Sequence, residues 1–289
     1  PATGSGYIRF KLYPPQPVGV SIKPWGKKAR YWAWGHPTGN NTTFEDARRA
    51  VQVAWHTPDG VLFHNAKFDA DVAETFMGIP RMGWDRYHDT LFLLFLHDPH
   101  ALELGLKPSA ARLLNLKPDE RDAVVGWLVE HQPVAGIRLS PAIKSDNYAG
   151  AYIAHVPGNL VGTYANGDTE RTEKLFKHLY PRIIERGMRD AYDRERRLMP
   201  LLLDGERRGV PVDVERLRSD VARYTETLEK LTARVCKTLK TPDLNIDSGA
   251  QLVDALLRGG KVNEALLGVT PKSHKPRTDK ESLAAAITD

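Results

Sequence analysis

The chain of 289 residues contains very little cysteine and no long apolar run. Its single cysteine, Cys236, excludes an intramolecular disulfide and is typical of a protein in a reducing compartment. No apolar run approaches the roughly 18 to 20 residues that span a bilayer, and the N-terminus lacks the basic-then-apolar pattern of a signal peptide. We therefore expect a cytoplasmic monomer with no membrane partner.

The motifs of several enzyme classes are also missing. No Gly-x-x-x-x-Gly-Lys-Ser/Thr loop occurs, which argues against P-loop nucleotide hydrolysis. The ten histidines are scattered and form no zinc-type pattern with each other or with Cys236, which we expect to be a packing residue. With 41 basic and 36 acidic residues the net charge is +5, which permits a polyanionic partner without demonstrating one.

Two short motifs carry the chemistry that is present. Tyr164 precedes Asp168 by four residues, and Asn65 precedes Asp69 by four, so each pair shares a face if its segment is helical. The apolar run Val61–Phe63 predicts a buried strand that leads into the helix carrying Asp69. Two carboxylates from different elements, one beside a phenol, suit metal-assisted phosphodiester hydrolysis, because carboxylate oxygens hold hard divalent cations. Taken alone, a tyrosine four residues before an aspartate is more often a half-buried tyrosine beside a solvated carboxylate, so the two motifs gain weight only together and from their context.

The pattern along the chain predicts two regions. Residues 1–185 mix short strands, at Gly19–Ile22 and Tyr31–Trp34 among others, with helices, which predicts an α/β domain. Residues 186–289 predict a helical segment. Its long helix, capped by Asp213, carries a narrow apolar seam at Leu217, Val221, Tyr224, Leu228, Leu231, Val235 and Leu239. The preceding helix, through Leu198, Leu201 and Leu202, is its expected antiparallel partner.

The C-terminal region adds two further signals. Lys272, Lys275 and Arg277 belong to a basic, proline-broken loop that is expected either to contact phosphates or to be simply solvated. Thr278, followed three residues later by Glu281, is a capping-box pattern that predicts the start of another helix.

Taken in order, these segments resemble a known family. The Asn65–Asp69 and Tyr164–Asp168 stretches look like the second and third exonuclease motifs of 3'-5' proofreading exonucleases. Glu206–Asp213 and Leu244–Leu252 resemble the entry to the thumb and the Asn-Ile-x-Ser-x-x-Gln-Leu signature of family A (Pol I-like) DNA polymerases, especially phage-type ones. His88–Asp98 and Leu104–Leu114 resemble the pieces between those motifs. The resemblance covers nearly the whole chain.

The resemblance implies a ribonuclease-H-like mixed-sheet exonuclease domain over residues 1–185, followed by a thumb-like segment over residues 186–289. It implies removal of nucleotides from DNA 3' ends with two Mg²⁺ or Mn²⁺ ions, Asp168 ligating one ion and Asp69 the other. Tyr164 would orient the attacking water, and Asn65 and Phe68 would shape the site around the 3' nucleotide. The implied partners are a single-stranded 3' end and primer-template DNA, in a host cytoplasm if the source is viral.

The chain departs from that family at the first exonuclease motif, Asp-x-Glu. Ala2 stands where the Glu is expected, the Asp would precede Pro1, and no acidic residue occurs before Glu45. We therefore expect weak or absent hydrolysis in this chain, which also lacks the polymerase motifs and is expected to be a fragment of a longer enzyme. A non-catalytic DNA-holding scaffold and an RNA 3'-5' exonuclease of the same superfamily remain alternatives.

Overall fold

The computed structural model describes residues 14–116, 119–134, 136, 138–139, 150–270 and 275–287. By its contacts the chain divides into two compact units, Pro1–Gly209 and Val210–Asp289. The sequence-based boundary at 185 therefore differs from the observed division, which lies after a further helix.

The first unit combines short strands with longer helices. Its strands are β1 (Gly19–Ile22), β2 (Arg30–Ala33), β3 (Val61–Phe63) and β4 (Tyr87–Asp89). Its α-helices are α1 (Phe44–Trp55), α2 (Ala66–Met77), α3 (Thr90–His97), α4 (Leu106–Leu114), α5 (Asp119–His131), α6 (Gly158–Glu185) and α7 (Arg189–Arg208). The expected α/β class is confirmed, and the strands predicted at Gly19–Ile22 and Val61–Phe63 have the predicted bounds.

The described strands form two small sheets. β1 and β2 pair antiparallel, with Gly19 opposite Ala33. β3 and β4 pair parallel, with Phe63 opposite Asp89, and α2 lies between them in the chain. Parallel neighbours need such a crossover, because a tight hairpin can join only antiparallel strands. The helix that carries Asp69 is therefore the crossover of a β-α-β unit.

The long helix α6 organises the core of the first unit. Leu175, Leu179 and Ile183 recur every four residues and are fully buried against apolar side chains of α3 and α4. Nearer its start, α6 lies on β2, where a Cβ at Gly162 would come within 3.1 Å of the Tyr31 ring. The absence of a side chain at Gly162 thus lets the helix approach the strand in the stretch that leads to Tyr164.

Helix α7 belongs to the first unit because its side chains are built into β4 and α2. The Tyr192 hydroxyl accepts the Asp89 backbone N–H at 2.9 Å, and the buried Arg196 donates to the Tyr87 carbonyl at 2.8 Å. Near its end, Arg207 Nε donates to the buried Asp71 carboxylate at 2.8 Å. These contacts explain why the division falls at Gly209.

The second unit contains α8 (Val214–Thr238), α9 (Gly249–Arg258) and α10 (Lys280–Ala286). Asp213 caps α8 as predicted, its side chain accepting the Arg216 N–H at 3.0 Å. Cys236 is buried beside Leu244, as expected of a packing residue. The capping-box prediction at Thr278 is wrong by one residue: Asp279 caps α10 by accepting the Ser282 N–H at 3.0 Å. A carboxylate is at least as good an N-cap acceptor as a threonine hydroxyl.

The apolar seam of α8 is exposed over most of its length. Exposed seam residues are Leu217, Val221, Tyr224, Leu228 and Leu231. Leu198, Leu201 and Leu202 of α7 are exposed as well, and the antiparallel pairing of α7 with α8 stays a prediction. Among the described helices, none combines the length and apolarity needed to cross a bilayer.

Candidate active site

Tyr164 and Asp168 lie one turn apart on α6 and meet at a lysine that comes from α4. Lys107 Nζ donates to the Tyr164 hydroxyl at 2.7 Å and to Asp168 Oδ2 at 3.2 Å. The same ammonium lies 4.0 Å from the centroid of the Tyr164 ring. The predicted phenol–carboxylate pair therefore exists, and a cation joins its two members.

The packing of α4 on α6 explains why the Lys107 side chain is buried. Lys107 and Ala110 lie three residues apart on one face of α4, and both are buried where α4 packs on α6. Only 7% of the Lys107 side chain is exposed. A charged side chain at such a position is retained when it finds an opposite charge, which Asp168 supplies.

The charges around Asp168 favour its ionised form. Burial alone would lower the pKa of Lys107, but the attraction of Asp168 and the hydrogen bonds to Asp168 and Tyr164 outweigh it, so that the Lys107 pKa is raised. Arg171, also buried, brings Nη1 to 3.6 Å from Asp168 Oδ1. The carboxylate thus lies between an ammonium and a guanidinium.

His64, at the end of β3, lies within the electrostatic range of this cluster. Its Nδ1 is 2.9 Å from the Thr90 hydroxyl. Burial, with a further contribution from the Lys107 charge, lowers the pKa of His64 to about 4. His64 is therefore neutral at pH 7, and it directly precedes Asn65, after which α2 begins.

The turn from β3 into α2 is held by a carboxylate to which the sequence motifs assigned no role. Asp89 is fully buried and accepts the backbone N–H groups of Asn65 at 2.9 Å, Ala66 at 2.7 Å and Leu91 at 2.8 Å. Asp69 follows one turn into α2 and is half-buried. Burial, together with the negative charge of Asp89, raises the pKa of Asp69 to about 7. A substantial fraction of Asp69 is therefore protonated at neutral pH.

Asn65 and Phe68 present exposed side chains at the start of α2. Asn65 adopts φ 68°, in the left-handed region, which costs free energy in residues other than glycine and is held here by the Asp89 hydrogen bond. Phe68 is 37% exposed, which is unusual for a large apolar side chain. Their assignment to the 3' nucleotide stays a prediction.

The described contacts bring some predicted site residues together and leave others apart. Tyr164 and Asp168 both accept hydrogen bonds from Lys107. Asp69 instead lies close enough to Asp89 for the charge of that carboxylate to raise its pKa. The expectation that the Asp69 and Asp168 carboxyl groups approach within about 10 Å, as two-metal chemistry requires, stays a prediction. Lys107 was the main omission of the sequence-based assignment. Its only signal in the sequence is a lone charge on the buried face of a helix.

The described residues do not by themselves suit a pair of divalent ions. Within the described ranges no group of three or more His, Cys, Asp or Glu side chains is arranged to hold a metal. At Asp168 a divalent ion would meet the Lys107 ammonium, and like charges about 4 Å apart repel by about 4 kcal/mol per pair of unit charges near a protein surface. Ala2 and the rest of the expected first motif lie outside the described residues.

The basic loop of the second unit is only partly described. Lys272 lies outside the described residues, while Lys275 and Arg277 are exposed. Arg277 Nε donates to Asp279 Oδ2 at 2.8 Å, the carboxylate that caps α10. That pairing neutralises part of the positive charge of Arg277. The phosphate-binding role of Lys272, Lys275 and Arg277 stays a prediction.

No protein-family model matches the chain, and no curated protein matches it. The features of this chain that bear on its function are therefore its sequence motifs and the geometry around Lys107, Tyr164 and Asp168.

Proposed function

We propose that the chain is the 3'-5' exonuclease region, with part of the thumb, of a family A type DNA polymerase. In this proposal its first unit has a ribonuclease-H-like fold and binds the single-stranded 3' end of DNA. The observation that carries the proposal is the Tyr164–Lys107–Asp168 cluster on α6 and α4. A phenol, an ammonium and a carboxylate meet there, and α6 also contacts β3, the strand that leads to the Asn65–Asp69 motif.

The residues of the cluster suit a phosphodiester. The Lys107 ammonium attracts phosphate oxygens, and the exposed Phe68 ring offers an apolar surface for a terminal base. The proposal keeps two Mg²⁺ or Mn²⁺ ions for an intact site, with Asp69 and Asp168 among their ligands. Such ions would supply the hydroxide and neutralise the developing charge. With Ala2 in place of an acidic residue, we expect the chain to bind DNA ends and to hydrolyse them poorly or not at all.

A non-catalytic DNA-holding scaffold is the second candidate, and the Lys107–Asp168 contact favours it. A carboxylate already neutralised by an ammonium needs no metal ion to be stable. In this case DNA binding persists and no sequence change at the first motif restores hydrolysis.

A digestion assay separates these functions. A single-stranded DNA labelled at its 5' end is incubated with Mg²⁺ or Mn²⁺ and either the chain or a variant with Ala2→Glu and an Asp added before Pro1. We expect shortening from the 3' end only with the variant, and loss of that activity on Asp168→Asn. No shortening by a folded variant would favour the scaffold, and preferential shortening of the matched RNA would favour the RNA exonuclease.

A further inference from the structure

The loop between β1 and β2 combines an exposed tryptophan with a run of positive charge. Residues 23–30 contain no acidic side chain and four basic ones, Lys23, Lys27, Lys28 and Arg30. Trp25 is 57% exposed, which is unusual for so large an apolar side chain. Lys27 and Lys28 are exposed as well, and neither forms an ion pair within the described part of the chain. The loop therefore presents an aromatic ring together with cations whose charge is not neutralised.

A tight turn places Trp25 at the bend of this loop. The Lys27 N–H donates to the Pro24 carbonyl at 2.9 Å, and Gly26 has φ 67°. These features match a type II turn, whose third residue needs a positive φ that glycine adopts without strain. Trp25 is the second residue of the turn, where its side chain stays exposed.

The loop is held against α6 by one buried carboxylate. Glu173 is 7% exposed and accepts hydrogen bonds from the ammonium groups of Lys23 and Lys177. Its Oε2 also accepts the backbone N–H of Gly26 at 3.4 Å. Two ammonium groups on one carboxylate leave a positive charge at the base of the loop, and the hydrogen bonds fix the backbone beside Trp25. A binding surface that is ordered in advance loses less entropy when its ligand binds.

Two further side chains of α6 fix the indole ring of Trp25. The Phe176 ring meets it edge to face, with the ring centroids 5.9 Å apart and the planes at 87°. The Lys177 ammonium lies over the indole, 4.8 Å from its centroid. These contacts cover only part of the ring, since more than half of Trp25 is exposed. Another aromatic ring can therefore stack on Trp25.

This surface lies on a different side of α6 from the Tyr164–Lys107–Asp168 cluster. Lys177 follows Asp168 by nine residues, which is about two and a half turns of an α-helix. The two side chains therefore leave α6 on opposite sides. The β1–β2 loop is a separate surface and not an extension of the candidate active site.

We propose that the β1–β2 loop binds single-stranded DNA at any point along the strand, with an unpaired base stacked on Trp25. Lys27 and Lys28 contact the phosphates that flank this base, and the Lys177 ammonium stays over the other face of the ring. Aromatic stacking combined with lysine contacts to the backbone binds a single strand without reading its sequence, because every base has a π-face. Only the choice of DNA as the strand rests on the proposed function.

The test measures the affinity of the whole chain for a fluorescent circular single-stranded DNA by fluorescence anisotropy. A circle has no 3' end and so cannot use the end-binding cluster of the proposed function. The variants are Trp25→Ala, Trp25→Phe and the double change of Lys27→Ala with Lys28→Ala. Phe95→Ala is the matched control, because Phe95 is also an aromatic residue of the first unit and is 42% exposed. Thermal unfolding checks that each variant folds.

We expect Trp25→Ala to weaken binding of the circle about tenfold, as the loss of one stacked base implies. Trp25→Phe should keep most of the affinity, because its ring can still stack, and Phe95→Ala should leave the affinity unchanged. The double lysine variant should reduce the slope of log K against log salt concentration by about 1.4, since each phosphate contact to a single strand contributes about 0.7.

Unchanged affinity for the circle in a folded Trp25→Ala variant would overturn the proposal. An unchanged salt slope in the double lysine variant would overturn it independently, even if Trp25→Ala does not fold. Displacement of the circle by polyglutamate at an equal concentration of charge would assign the loop to an acidic protein segment and would also overturn it. Equal binding of linear and circular strands, with the loop variants behaving as expected, would instead reject end binding and leave the loop surface in place.

Discussion

At the scale of single residues, Asp69 has the clearest measurable consequence. Its pKa is raised from 3.8 to about 7, so the folded protein holds this proton more tightly than the unfolded chain does. Folding stability should therefore fall as pH rises from about 4 to about 7, the interval in which only the folded state keeps the proton. Below that interval both states are protonated, and above it neither is.

Asp69→Asn should remove this loss, because an amide carries no charge to be buried. We expect the variant to be more stable than the wild type at pH 8 by up to about 4 kcal/mol, since each pKa unit corresponds to about 1.4 kcal/mol, with the advantage disappearing at pH 4. Urea denaturation at both pH values measures the difference. An equal advantage at the two pH values would show that the Asp69 pKa is not raised.

Sequence reasoning recovered the residues whose relation is local and missed the one whose relation is not. Tyr164 and Asp168 could be paired because helix periodicity alone brings residues four apart together. Lys107 could not be assigned, because its partners are 57 and 61 residues away along the chain. Only the packing of α4 on α6 joins them, and that packing depends on the whole core.

At the scale of elements, Asp89 joins the end of β4 to the beginnings of α2 and α3. Asp89→Ala would leave the backbone N–H groups of Asn65, Ala66 and Leu91 without their buried acceptor. We expect a loss of at least about 3 kcal/mol in the free energy of unfolding, since each unsatisfied buried donor costs about 1 to 3 kcal/mol. Urea denaturation measures the loss.

Asp98→Ala is the matched control for that change. Asp98 follows α3 but is half-exposed and accepts only the His100 N–H, at 3.2 Å, besides its contact with Arg112. Its removal should cost well under half as much as Asp89→Ala. Equal costs would mean that Asp89 does not hold the β3–α2 turn.

The exposed seam of α8 gives a second prediction at this scale. Leu228 is 61% exposed, whereas Leu267 in the same unit is 1% exposed. Leu228→Asp should change the stability of the second unit by less than about 0.5 kcal/mol, while Leu267→Asp should unfold it. Thermal unfolding compares the two. A large loss in Leu228→Asp would show that a partner covers the seam in solution.

The helix positions of α8 followed from the sequence because apolar spacing determines which residues share a face. Their burial did not follow, because a narrow apolar seam has the same pattern whether or not another helix covers it. The sequence predicted that β3 leads into α2, but it predicted neither the strand β4 nor the hydrogen bonds that Asp89 accepts from the Asn65–Ala66 turn.

At the scale of the whole molecule, the division at Gly209 predicts which fragment folds. Tyr192, Met199 and Leu203 of α7 are buried within the first unit. A fragment of residues 1–209 should unfold cooperatively, whereas one of residues 1–185 loses those three side chains and should be less stable by several kcal/mol. Equal melting temperatures for the two fragments would show that the first unit ends at residue 185.

The proposed function requires that the Lys107–Tyr164–Asp168 cluster bind the 3' end of a DNA strand. The most direct test compares the affinity of the chain for linear single-stranded DNA with its affinity for circular single-stranded DNA of the same composition, which has no ends. We predict that the wild-type chain binds the linear strand about tenfold more tightly than the circular one. Tyr164→Ala should abolish this preference, whereas Lys23→Met, which removes a different lysine that pairs with a carboxylate of α6, Glu173, should keep it. Equal affinity for the two forms in the wild-type chain would contradict the proposed function.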